Sequence, residues 1–168
     1  MNYAKWISFI FLTFLFQTQF SFFRSPLTFT VVLAYYFALK SLPRQSQAGE
    51  YFGSGAEMKS AAFGAFIGLL EDILSGSVVG PNLFSKGLIG FIGVTAFTEV
   101  VFKWTPVLGI ITIVLFTVLD GIIVAGMRSI FTSIQINAVA AAQIVFIQAL
   151  VNIPFGIILK PKKFRLTD

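Results

Sequence analysis

The sequence predicts an all-α integral membrane protein, a compact bundle of six transmembrane helices forming one multi-pass domain over residues 1–168. Three observations carry that prediction. The chain is 57% hydrophobic and 11% charged, with 21 phenylalanines, so lipid takes over as solvent for much of its surface. Its apolar residues fall into six segments, each near the ~20 residues that cross a hydrocarbon core. Its basic residues gather at segment ends, as membrane-flanking charges do.

The first segment covers Trp6–Phe23. Lys5 precedes it as in a signal peptide, but it lacks a small-residue cleavage site and is long enough to span. Pro26 stops its continuation into the second segment, Leu27–Leu42. The polar stretch Pro43–Met58, rich in Gly, Ser and Gln, is too short for a folded domain and reads as a loop. Lys59–Ser75 is the third segment and Asn82–Phe102 the fourth. Thr105-Pro106 supplies an N-cap and a proline at the first helical position of the fifth, Pro106–Met127. The sixth, Ala138–Leu159, contains Pro154, which frees a carbonyl or kinks the helix.

The basic residues orient these spans. Lys5, Lys40, Arg44, Lys59, Lys103, Lys160, Lys162, Lys163 and Arg165 flank one side, and Arg24, Lys86 and Arg128 the other. The positive-inside rule places both termini and the Pro43–Met58 loop in the cytoplasm. The net charge of +5 therefore reports topology and contact with membrane lipid, with no nucleic-acid partner. Without Cys there are no disulfides, thiolate metal sites or cysteine nucleophiles, and without His the commonest general base and metal ligand is missing. No catalytic residue, cofactor site or metal site is read, so an enzyme is not expected.

The most informative pattern is Gly64, Gly68, Asp72, Gly76 and Gly80 at a strict spacing of four. On a helix, Ala61, Gly64, Gly68, Glu71, Asp72 and Ser75 share an arc of roughly 100°. Phe63, Phe66, Ile67, Leu70, Ile73 and Leu74 cover the other side. The smooth acidic face is expected to admit another helix and the bulky face to meet lipid. Gly87, Gly90 and Gly93 give the fourth segment a similar small face, available to a helix of this chain or of a partner.

Ionisable residues inside a membrane each need an explanation. Glu71 and Asp72 end the third segment and Lys86 opens the fourth, across a short connection. Either they form a charge cluster or each reaches interfacial water. Asp120 lies deeper, and Gln148, Asn152 and Gly156 form an i, i+4, i+8 stripe on the last segment. With Gln143 nearby, such amides are expected to hydrogen-bond Asp120 across a helix interface; a proton or substrate site is the alternative. Glu99 and Lys103 have the favourable i, i+4 order of a local pair.

The run Gly64-x3-Gly68-x2-Glu71-Asp72-x3-Gly76-x3-Gly80, followed by a glycine-containing helix, resembles the bacterial rod shape-determining protein family MreD. Length, six-helix layout, Pro26 before the second helix and the polar ending around Asn152 and Pro154 agree with it. The family often has an apolar residue where this chain has Glu71. The resemblance implies a non-enzymatic scaffold of the cell-elongation machinery in the inner membrane. It implies a partner, the bitopic protein MreC, and through it MreB and a SEDS polymerase/transpeptidase pair. It also implies a fold similar to the substrate-binding subunits of energy-coupling-factor vitamin transporters. Such a subunit is the rival reading, with a polar cavity near Asp72, Lys86 and Asp120. Against it, the Ala-x3-Ala coupling signature is absent from the first segment and appears only as Ala34 and Ala38 in the second.

Overall fold

The computed structural model of the chain describes residues 3–20, 29–42, 55–76, 78–97, 104–131 and 137–160. All regular structure among them is helical, in six elements. These are α1 Tyr3–Phe20, α2 Thr30–Ser41, α3 Ala56–Leu74, α4 Pro81–Thr95, α5 Pro106–Phe131 and α6 Ala138–Ile158.

Local chemistry sets several of the ends. Thr105 Oγ1 accepts from Leu108 N–H at 3.2 Å ahead of Pro106, the N-cap geometry that starts α5. The Asn137 side chain accepts from Val139 and Ala140 N–H at 3.0 and 3.3 Å and starts α6. Gly76, at φ 62°, ends α3 in the left-handed region that glycine adopts without strain. Several boundaries differ from expectation, among them the start of α1 at Tyr3 and the end of α5 at Phe131, four residues past Met127. α3 begins at Ala56, because Gly55 (φ 67°) turns the chain three residues before the polar stretch was expected to finish. α2 is a turn shorter than its apolar segment. α4 passes from Thr95 into a π-type turn at Ala96–Phe97, and the expected end of its segment at Phe102 lies outside the described residues. The Glu99–Lys103 pair, most of the Pro43–Met58 loop and the last basic run lie outside the described residues.

α2 is the centre of the bundle. Val31, Leu33, Ala34, Tyr35 and Ala38 have no solvent exposure, and Tyr35 meets Phe97 and Phe116 edge-on at 6.0 and 6.1 Å between centroids. Around it stand α3, α4 and α5, with α6 on α5 and α1 at the periphery. α1 touches α2 through Phe9 and Tyr36, while Ile7, Phe11 and Leu12 are exposed.

α5 and α6 are each long and apolar enough to cross a membrane, and α2 is a shorter apolar helix. Their outer faces are apolar, with Ile111, Leu115 and Ile122 exposed on α5 and Phe146, Leu150 and Ile157 on α6. The bulky side of α3 is only partly outward. Phe66, Ile73 and Leu74 are exposed, but Ile67 is fully buried and Phe63 stacks on Phe37 of α2 at 4.0 Å. The packing of α2 against that flank is what the helical arc could not foresee.

Candidate functional site

Glu71 and Asp72 are successive residues near the end of α3, so their side chains leave the helix about 100° apart. They accordingly do different work. Asp72 reaches across the turn to the start of α4. Its Oδ2 accepts from Gly80 N–H at 2.8 Å and Leu83 N–H at 3.2 Å. Its Oδ1 accepts from Asn82 N–H at 3.3 Å and Asn82 Nδ2 at 2.8 Å. Asp72 is thus a helix cap supplied by a neighbouring helix. It satisfies amides of the first turn that have no intrahelical partner and puts negative charge at the positive end of the α4 dipole. Gly80, at φ 135°, allows the chain to bring its amide to the carboxylate, and Pro81 has no amide to satisfy.

Glu71 turns to Lys86. The Lys86 ammonium is fully buried. It stands 3.2 Å from Glu71 Oε2, 3.1 Å from both oxygens of Asp120, and 2.6 Å from Asn82 Oδ1. Its three protons therefore have acceptors from three directions. Hydroxyls complete the cluster: Thr30 Oγ1 donates to Glu71 Oε2 and Ser85 Oγ to Asp120 Oδ1, both at 2.5 Å. Residues of α2, α3, α4 and α5 meet here, and Asn82 joins the cap to the ion pairs by accepting from Lys86 while donating to Asp72.

The expected partner of Asp120 needs correction. Its carboxylate is held by Lys86 and Ser85 of α4. Asn152 instead donates from Nδ2 to Thr117 Oγ1 at 3.0 Å, one turn away on α5. A full cation outcompetes a neutral amide for a buried carboxylate. Gln148 is buried on the same α6 stripe as Asn152 and Gly156, whereas Gln143 is exposed. The charge cluster expected around Lys86 is present, with Glu71 as the neighbouring acid that pairs with it and Asp72 serving as the cap.

The glycines bring backbones together. A Cβ on Gly64 would overlap the Lys86 carbonyl, one on Gly68 the Asn82 carbonyl, and one on Gly90 the Ser60 carbonyl. Gly87 lies against Ala65, and a Cβ on Gly93 would stand 2.9 Å from that of Ala38. These small faces are filled by the chain's own helices, so they are not open to a partner's helix. Ala34 and Ala38 are likewise fully buried and present no coupling surface.

Sequence reasoning missed Thr30, Asn82, Ser85 and Thr117. Asn82 was findable, since it precedes Lys86 by four residues and shares its helix face. It also missed Gly109, whose carbonyl is met by a Cβ built on Gly156 at 2.7 Å where α5 and α6 cross.

Fold and site together define a helical bundle tied by a buried ion-pair network, with two helices apolar enough to cross a membrane. No family model, curated protein or solved structure matches the chain.

Proposed function

We propose that the chain is a non-enzymatic membrane scaffold of the MreD type. In this reading all six helices lie in the bacterial inner membrane, both termini face the cytoplasm, and the fold is similar to the substrate-binding subunits of energy-coupling-factor transporters. One observation carries the proposal: the stretch on which the resemblance rests is used wholly for architecture. Gly64 and Gly68 seat α4, Asp72 caps it, Gly76 and Gly80 make the turn, and Glu71 ties Lys86. Side chains committed to such bonds are poorly placed for turnover of a substrate. The exposed apolar faces of α1, α5 and α6 remain for lipid and for a partner's membrane helix.

The partner is MreC, and through it MreB and the SEDS polymerase/transpeptidase pair. Affinity purification in mild detergent tests this, together with depletion in a rod-shaped bacterium. Co-purification of MreC and rounding of depleted cells are the expected results. Normal rods with a vitamin-uptake defect, and an ATPase module in the eluate, would move the chain to the transporter class.

A further inference from the structure

α4 is a poor membrane helix taken alone. It carries Lys86, Asn82 and Ser85, whose polar atoms lipid would leave unsatisfied. α3 has the mirror problem, with Glu71 and Asp72 near one end. Each helix holds what the other lacks. Asp72 accepts from three amides at the start of α4, Glu71 meets Lys86, and backbone meets backbone at Gly64, Gly68 and Gly90. Of the polar groups named here, Asp120 is the one that α5 contributes from outside the pair.

We infer that α3 and α4 enter the membrane as one hairpin, in which Glu71 meets the Lys86 charge that would otherwise bar α4 and Asp72 caps its first turn. This rests on the six-span reading above. The device makes α3 the gatekeeper of everything that follows. An α4 that stays out leaves α5 to enter from the wrong side, and the second half of the bundle inverts.

The chain has no cysteine, so single cysteines read topology cleanly. Val78→Cys in the α3–α4 turn and Ser129→Cys at the end of α5 are both exposed positions. In intact spheroplasts a membrane-impermeant maleimide is expected to label both in the otherwise unchanged full chain. Adding Glu71→Leu and Asp72→Leu makes α3 more apolar, so α3 still crosses and Val78→Cys is still labelled. Labelling of Ser129→Cys is expected to fall at least fivefold, because α4 has lost its partners. Adding Lys86→Leu to that chain removes the stranded charge and is expected to restore Ser129→Cys labelling, which a merely unfolded product would not do. Undiminished labelling of Ser129→Cys in the Glu71→Leu/Asp72→Leu chain overturns the hairpin inference alone. No labelling of either cysteine in the otherwise unchanged chain overturns the six-span reading and this inference with it.

Discussion

Two glycines separate a structural requirement from an incidental one at the scale of single residues. A Cβ on Gly68 runs into the Asn82 carbonyl, a backbone atom that cannot move aside without moving α4. A Cβ on Gly126 meets nothing within 4 Å. Gly68→Ala should therefore lower unfolding stability in detergent by about 1–3 kcal/mol or more, the usual range for overpacking. Gly126→Ala should be neutral, or stabilising by up to about 1 kcal/mol through helix propensity. Equal effects would remove the close approach of α3 and α4. Lys86 supplies a second test. Lys86→Met leaves Glu71 and Asp120 facing each other without their shared cation, and losing one partner of a buried ion pair typically costs about 3–5 kcal/mol. Chemical unfolding of the purified variant measures it. The spacing of four from Gly64 to Gly80 was legible because one helix repeats its face at that interval. The meeting of Lys86 with Asp120 was not. The two are 34 residues apart on different helices, and no periodicity within either helix states how far it is rotated toward the other.

Among the elements, punctuation was readable in part and length was not. Thr105-Pro106 places the start of α5 because capping is a local matter of a side-chain oxygen and the next few amides, whereas the same role of Asn137 at α6 was not read from the sequence. α4 passes into a π-type turn at Ala96–Phe97, and the start of α3 depends on a left-handed Gly55, neither of which hydropathy encodes. α6 is the element most exposed to single changes. Its buried stripe is narrow, comprising Gln148, Ala149, Asn152 and Gly156, and it meets α5 closely where Gly156 faces Gly109. Gly156→Leu should release α6 from α5, seen as faster proteolysis after residue 137 and a lower unfolding midpoint. Asn152→Leu should cost only about 0.6 kcal/mol, the average worth of an interhelical hydrogen bond in a membrane bundle. Leu150→Ala, on the exposed face, should leave proteolysis unchanged. A protease pattern for Gly156→Leu equal to that for Leu150→Ala would mean that α6 is held by something other than this crossing.

The whole molecule poses the question of why a bundle with so apolar a surface keeps a lysine and three acids inside. Two answers are available. Either the charges do chemistry or coupling, in which case their identity matters, or they fix which helices pair and in what register, in which case only their mutual satisfaction matters. The geometry favours the second. Glu71, Asp120 and Asn82 converge on one ammonium, Thr30 and Ser85 donate to the carboxylates, and Asp72 is committed to the backbone of α4. Buried ion pairs can often be replaced as a group by apolar residues at little cost, whereas breaking them one at a time strands a charge. The scaffold reading therefore makes a prediction that a coupled transporter or an enzyme would not share. Lys86→Met alone should fail to support rod shape in a strain depleted of the wild-type chain. The combined variant Glu71→Leu/Lys86→Met/Asp120→Leu, which removes the three charges together and leaves Asp72 as the cap, should recover rod shape and co-purification of the partner to a large part of the wild-type level. Cell aspect ratio and the amount of MreC recovered per unit of bait are the two readouts. If the charge-free protein accumulates in the membrane and folds, yet cells stay round, then the charges act in function and not only in assembly, and the architectural account of the cluster is wrong.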